Sequence, residues 1–404
     1  MANRWTDEQL DAINLEGNNI IVSAGAGSGK TAVLSERVLR KVKNGIHVDE
    51  LLILTFTNAA AKEMKDRIRS KLKKENYLKE VDLIDNAFIT TFDSFSLSIV
   101  KKYHTILNIS KEIEITDNSL LNIEKQRIID EIFDSYYENS NPYFEKVIHD
   151  FCFKDDKELK RLLLKLNDQL DNRYDKDKYL NTYIDTFFND DKINKDIEKY
   201  FDEIKLLIEK IKHLLSELSL YMDGVFISKM EDKLSKLLKA NNYNDLYDSL
   251  DFRLPPLPKD TEDEAKNIKN QISSVIKEIK SLVIYQNEEE IKNEILSTKD
   301  NVSIIVELLK EFDYKFREYK LSNNMFSFSD ISRMAIEIVE NNEDIREELK
   351  NEFQEIMIDE YQDTNDIQEY FISFISKNNV YMVGDIKQSI YRFRNANPNL
   401  FKEK

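Results

Sequence analysis

Three uninterrupted apolar runs stand out in the first hundred residues: Ile20-Ile21-Val22-Ser23, Leu51-Leu52-Ile53-Leu54-Thr55 and Ala87-Phe88-Ile89-Thr90-Thr91. A continuous run, unlike an alternating one, reads as a strand buried on both faces, as in a parallel sheet. Helical spacing of apolar positions fills the gaps over residues 31–42, 59–74 and 94–106. The middle of the chain loses this alternation. Ile268, Ile272, Val275, Ile279 and Leu282 recur at three- and four-residue intervals, which predicts an amphipathic helix. Similar spacing recurs over 204–220 and 302–312, giving two helical blocks joined near Leu254-Pro255-Pro256-Leu257-Pro258. Strand-like runs return at Ile356-Met357-Ile358 and Val380-Tyr381-Met382-Val383, each leading into acid. The pattern predicts an α/β domain with a parallel sheet and helices on its faces. Residues 1–110 begin it, an all-helical insertion over 111–325 interrupts it, and residues 326–404 complete it.

Composition narrows the function classes. With 41 % hydrophobic residues among 404, the chain can build a packed core. It has no run long enough to span a membrane and no apolar segment at its N-terminus, which predicts a cytoplasmic protein. A single cysteine, Cys152 between two phenylalanines, excludes an internal disulfide framework and a Cys-rich zinc site. The net charge of −17 argues against bulk attraction to nucleic acid. Its distribution is uneven, however. Residues 1–100 balance 14 basic against 14 acidic side chains, and the excess acid lies beyond them, so a local basic groove remains compatible with the total.

Glycine is the most informative residue type. Of seven glycines, three fall within five positions, Gly25, Gly27 and Gly29. They belong to Ala24-Gly25-Ala26-Gly27-Ser28-Gly29-Lys30-Thr31, which follows a predicted strand and opens a predicted helix. This fits a phosphate-binding loop with Ala24 in the place of the usual first glycine. Backbone amides freed by glycine point at phosphate, Lys30 reaches the β- and γ-phosphates, and Thr31 binds Mg²⁺. A phosphate-loop enzyme also needs a carboxylate at a strand end for the metal and a group that orients the attacking water. Adjacent Asp359 and Glu360 can divide those tasks. Gln9 carries an amide able to read adenine, although Thr6-x-x-Gln9 equally fits a helix capping box, and the two roles are compatible. Gln388 is placed to sense the γ-phosphate. Beyond it Tyr391, Phe393 and Arg394 alternate aromatic and basic character, which suits stacking on a single nucleic-acid strand; an amphipathic turn with buried aromatics would share the pattern.

Three segments together, Thr55-Phe56-Thr57-Asn58-Ala59-Ala60-Ala61-Lys62-Glu63-Met64, Asp359-Glu360-Tyr361-Gln362-Asp363-Thr364 and Val383-Gly384-Asp385-Ile386-Lys387-Gln388-Ser389-Ile390-Tyr391-Arg392-Phe393-Arg394, resemble superfamily 1 DNA helicases of the UvrD/Rep type. Within that family the last segment is most similar to the AddA-type helicase–nuclease subunits of double-strand-break repair, with the RecB type a close second. The resemblance implies a RecA-like motor domain that uses ATP and Mg²⁺ and acts on single-stranded and duplex DNA, with a partner subunit of AddB type. It implies that Gln9 contacts adenine. It groups Lys30, Thr31, Asp359, Glu360 and Gln388 in the nucleotide and metal site, with Asp359 and Thr31 on the metal and Glu360 on the water. It places Phe56, Thr57, Asn58, Thr91, Ser94 and Phe95, with Tyr391, Phe393 and Arg394, along the DNA path.

The chain departs from the family pattern in places. Asp93 stands where histidine is common, which weakens a phosphate contact, and Ala32 replaces an arginine frequent in UvrD-like members. The family's second RecA-like domain and the nuclease domain of the AddA type would lie beyond Lys404. The expectation is a motor half that binds ATP and DNA and turns over little ATP by itself. An unrelated phosphate-loop ATPase is the alternative reading.

Overall fold

The computed structural model describes residues 5–25, 27–389 and 396–404. Five parallel strands form one sheet: β1 Ile20–Ser23, β2 Leu51–Thr55, β3 Phe88–Thr91, β6 Glu355–Ile358 and β7 Val380–Gly384. Their order is β1-β7-β6-β2-β3, so the two strands from the end of the chain sit between those from its start. Two further short strands, β4 Glu114–Ile115 and β5 Met325–Phe326, pair in parallel away from this sheet. The predicted α/β class and parallel sheet hold, and each apolar run in the sequence became a strand.

The reason is visible in burial. β2, β6 and β7 are buried at every position. Leu52, Leu54, Ile356, Ile358, Val380 and Met382 pack into one hydrophobic cluster. Leu51, Ile53, Met357, Tyr381 and Val383 pack into the other. Alternate side chains thus serve opposite faces, each covered by helices, and the two polar residues of these strands, Thr55 and Glu355, are buried as well.

Two compact units divide the chain. The first contains residues 1–135, 156–176 and 309–404, and includes the sheet. The second contains residues 136–155 and 177–308. In the second, the long helix Asp190–Leu218 presents Ile204, Ile208, Ile211 and Leu215 to a core shared with Ile268, Ile272, Val275 and Ile279 of Asp263–Leu282. The periodicity legible in the sequence is the seam of that core. The proline-rich segment 254–258 is irregular. Among the described residues no helix is long and apolar enough to cross a membrane.

One buried ion pair ties the sheet to the helix that follows β1. Arg37, fully buried in Lys30–Lys43, donates from Nη2 and Nε to the two carboxylate oxygens of Glu355 at 2.6 and 2.9 Å. Its Nη1 donates to the carbonyls of Ala12 and Ile13, both at 3.1 Å, and its guanidinium lies 4.2 Å from the centre of the Tyr381 ring. Every nitrogen of the fork is engaged, which is the condition under which a buried pair holds. Arg37→Ala would strand the Glu355 carboxylate, leaving it, among the described residues, Lys41 Nζ at 3.3 Å. Removal of one partner of a buried pair typically costs roughly 3–5 kcal/mol. Denaturant unfolding followed by circular dichroism should therefore show a loss of about that size in Arg37→Ala, and Arg37→Lys should recover only part of it. A loss below ~1 kcal/mol would mean that the pair does not hold the sheet.

Candidate functional site

All five sheet strands point their carboxyl ends the same way, and every candidate residue described in the structure except Gln9 is at or just past one of those ends or lies in the helix it opens. In open parallel sheets this is the edge where ligands gather. Two cavities lie along it. One, of about 390 Å³, is lined by Gln9, Ser23, Ala24, Gly25, Ser28 and Lys30 among others. The second, of about 190 Å³, is lined by Phe56, Thr91, Asp93, Phe328, Asn365 and Gln368 among others.

The loop after β1 is built by glycine. Gly27 and Gly29 take positive φ values of 75° and 84° in the left-handed region. Gly29 caps the helix Lys30–Lys43 without any side-chain hydrogen bond. Helices that begin at Asn58, Phe92, Phe328 and Asp366 are instead capped by the side chains of Thr57, Thr91, Ser327 and Asn365. The first-turn amides of Lys30–Lys43 therefore lack the internal acceptor that the others have, and their partial positive charge faces the loop. Gln9 serves its own helix and the loop together. Its Oε1 accepts from the Thr6 N–H at 3.0 Å in a full capping box, and its Nε2 donates to the Ser28 carbonyl at 3.0 Å.

Lys30 meets two segments that lie more than 300 residues away in sequence. Its Nζ donates to Glu360 Oε2 at 2.8 Å and to Gln388 Oε1 at 3.3 Å. The side chain of Lys30 is 9 % exposed and that of Glu360 37 %. Glu360 adopts φ 52°, ψ 46°, left-handed backbone that a residue with a Cβ enters at a cost of roughly 1–2 kcal/mol. Asp359, immediately before it, is 9 % exposed. Its backbone N–H donates to the Leu54 carbonyl at 2.9 Å, and its Oδ1 accepts from the Glu360 N–H at 3.1 Å. Burial, and then the neighbouring Glu360 charge, push its carboxyl up to about 6. Gln388 hangs from Asp385, its Nε2 donating to Asp385 Oδ2 at 2.6 Å, and that hydrogen bond holds the Asp385 carboxyl below its ordinary range. Thr31 opens the helix beside Lys30 and is half-buried.

The predicted DNA-path residues separate into three groups. Phe56 and Thr91 line the smaller cavity. Thr57 accepts from the Ala60 N–H as a helix cap, Asn58 is exposed beside it, and Ser94 is exposed one turn into its own helix. Phe95 is a correction. It is fully buried, with its ring centroid 5.3 Å from Phe88 and 5.8 Å from Phe353, so it packs the core and cannot face a strand of DNA. Ala26, Tyr391, Phe393 and Arg394 lie outside the described residues. Gln362 and Asp385, which join the site by hydrogen bonds, stand in the sequence motifs without a role. The glycine before Asp385, placed inside a strand, was the available signal of a close approach. Phe328, Asn365 and Gln368 gave no signal, because nothing short of the fold brings them beside Phe56.

The raised Asp359 carboxyl carries a stability consequence. A carboxyl whose folded pKa exceeds its unfolded value favours folding below the unfolded pKa, and that contribution is lost as pH rises through the folded one. Above pH 6 the metal-free chain bears the cost in full. Asp359→Asn, which keeps the oxygen that accepts from Glu360, should be more stable than the parent at pH 7–8 by up to roughly 3 kcal/mol. The difference should vanish near pH 4. Urea midpoints across pH 4–8 measure it, and a difference that grows on acidification would contradict the assignment.

Comparison with known proteins gives the family. The family model described as the UvrD/REP helicase N-terminal domain matches residues 5–247 and 225–404. The chain is 32 % identical to the AddA-type ATP-dependent helicase/nuclease subunit of Ligilactobacillus salivarius, over all of the chain and 36 % of the relative. It is 34 % identical to the protein of the same name from Lactobacillus johnsonii, over 99 % of the chain and 37 % of the relative. For the Clostridium botulinum protein the figures are 32 %, 99 % and 36 %. The chain thus spans a little over a third of the length of these relatives and aligns with each from end to end. It belongs to the UvrD/REP helicase N-terminal domain family, in the branch of the AddA-type helicase/nuclease subunits.

Proposed function

We propose that this chain is the first, RecA-like motor domain of an ATP-dependent DNA helicase–nuclease, that residues 111–325 are its helical insertion, and that it binds Mg·ATP and single-stranded DNA along one edge of its sheet. The observation that carries the reading is the meeting at Lys30. An uncapped helix start, the acid after β6 and the glutamine after β7 converge on one ammonium group. A shared ion pair alone would not need the glycine loop or the uncapped amides. A polyphosphate would use all three.

In this reading the amides of the loop and Lys30 take the phosphates, and Gln9 sits where adenine would lie. Thr31 and Asp359 offer a hydroxyl and a carboxylate, hard oxygen donors that suit magnesium better than softer metals. Magnesium, when bound, neutralises charge on the transferring phosphoryl group. Glu360 is on the nucleotide side and half-exposed, while Asp359 is buried, which fits Glu360 to orient the water and accept its proton. Gln388 shares Lys30 with Glu360 and so is placed to register a phosphate that displaces either of them.

The smaller cavity suits the DNA path. Phe56 offers an aromatic ring just past the end of β2, and Phe328, more than half-exposed, lines the same cavity. Asp93 also lines it, so phosphate attraction there is weak. In a chain of charge −17 affinity must then come from stacking more than from counterion release. The names of the relatives support a helicase–nuclease context, and a partner subunit of AddB type belongs to the same proposal.

Two measurements test it. Hydrogen bonds to charged groups contribute roughly 1.5–3 kcal/mol each, so Lys30→Ala should weaken Mg·ATP binding by about ten- to a hundredfold at unchanged circular dichroism. Calorimetry that finds equal affinity would remove the nucleotide site. For DNA, a stacked base is worth roughly 1–3 kcal/mol, so Phe56→Ala should weaken binding of a labelled single-stranded oligonucleotide by about tenfold or more. Anisotropy across a salt series should also give a shallow slope. A steep slope with no effect of Phe56→Ala would move DNA binding to the lysines elsewhere in the chain.

A further inference from the structure

The polar network around Lys30 closes on itself. From Lys30 Nζ it runs to Gln388 Oε1, and from Gln388 Nε2 to the Asp385 carboxylate. The Asp385 backbone N–H donates to Gln362 Oε1 at 2.9 Å. Gln362 Nε2 then donates at 2.8 Å to Glu360 Oε2, the same oxygen that Lys30 holds. Gln362 joins this ring through Glu360 and Asp385 and has no hydrogen bond to Lys30.

Its environment is specific. Gln362 is 1 % exposed, so its amide has no recourse to bulk water. One N–H goes to Glu360 and the other reaches Asp363 Oδ2 at 3.3 Å, while the oxygen takes the Asp385 amide. The end of β7 is shaped around it. A Cβ on Gly384 would stand 2.4 Å from Gln362 Oε1 and 3.2 Å from its backbone nitrogen. Glycine at 384 is therefore the condition for this amide to bridge two strand ends.

On the reading above, an incoming phosphate draws Lys30 toward its own oxygens. Glu360 then loses its cationic partner while its backbone sits in left-handed geometry, which supplies little restraint of its own. The bond from Gln362 remains. We propose that Gln362 is a positioning residue for ATP hydrolysis: it fixes one oxygen of Glu360, leaves the other for the attacking water, and fixes in the same amide the segment from which Asp385 and Gln388 extend. When water attacks, its oxygen bonds to the γ-phosphorus, its proton passes to Glu360, and the bond to the β–γ bridging oxygen breaks to release ADP. Gln362 takes no proton at any stage. This inference rests on the nucleotide-site reading and goes beyond it by assigning a residue that touches no nucleotide.

The test compares Gln362→Glu and Gln362→Met in the longest polypeptide that the gene encodes. The glutamate keeps an acceptor for the Asp385 amide but sets a second carboxylate against Glu360, and the methionine keeps the length and removes all three bonds of the amide. Each should bind Mg·ATP within about threefold of the parent and lose at least tenfold in single-turnover hydrolysis. The exchange Glu360→Gln with Gln362→Glu, which swaps amide and carboxylate, should recover the thermal midpoint lost in Gln362→Glu without recovering hydrolysis. If Gln362→Met does not fold, Gln362→Glu decides alone. Parental hydrolysis in Gln362→Glu would overturn the proposal, as would a matched fall in affinity, hydrolysis and thermal midpoint, which marks a merely structural residue. Lys30→Ala serves as the control. Undiminished affinity there would overturn the nucleotide site itself, a failure distinct from that of Gln362.

Discussion

The geometry of the site rests on the buried pair of Arg37 and Glu355. Glu355 opens β6, and Asp359 and Glu360 follow its last residue. Arg37 lies seven residues beyond Lys30 in the helix that leaves the glycine loop, two turns on and on the same face. The rise from Arg37 back to Lys30 is ~10 Å, and that from Glu355 to Asp359 is ~13 Å. Two arms of similar length are thus pinned together at one end, and their free ends carry the ammonium and the carboxylates. Tyr381 under the guanidinium brings β7 into the same joint, and its other end supplies Gly384 and Asp385. A change at the pinned end would be felt ~10 Å away at Lys30 and Glu360.

The free ends are less comfortable. Asp359 is buried as an acid, Glu360 occupies left-handed backbone, and the helix that begins at Lys30 has no side-chain cap. Each feature costs stability in the chain as it stands, and on the proposed reading phosphate and metal would offset each of them. Neighbouring helices on the same sheet edge are capped in the ordinary way. A buried acid, left-handed backbone at a residue with a Cβ and an uncapped helix start meeting in one corner is the pattern expected where binding energy is to be used.

Cationic character separates the two cavities as well. Each carries one acid, Glu8 at the larger and Asp93 at the smaller, but the larger one also has a lysine and the backbone amides of the glycine loop, whereas aromatic faces, hydroxyls and amides predominate around the smaller. A chain with a strong negative total can hold anions at such a place because the potential within a few ångströms is set by local dipoles, while the distant acids are screened beyond about 8 Å at physiological salt.

Much of this was legible in the sequence. Apolar runs placed the five strands of the sheet, most sharply β2, β6 and β7, where burial at every position leaves a nearly continuous apolar stretch. Glycine, scarce elsewhere, marked the loop because only glycine takes the required φ cheaply. Carboxylates after strand ends marked β6 and β7. What the sequence could not decide was adjacency. The strand order β1-β7-β6-β2-β3 inserts the last two strands between the first two, and that order alone sets Lys30 against Glu360 and Gln388. Phe95 shows the limit most sharply. A motif placed it on the DNA path, yet one turn of helix carries its ring into the core, because a side chain's direction depends on which face of the helix the sheet covers. Gln362 shows the converse. Its type and position gave no sign of a role, and only the folded chain closes the ring between Glu360 and Asp385, since hydrogen bonds across 23 residues of sequence exist only once two strands lie side by side.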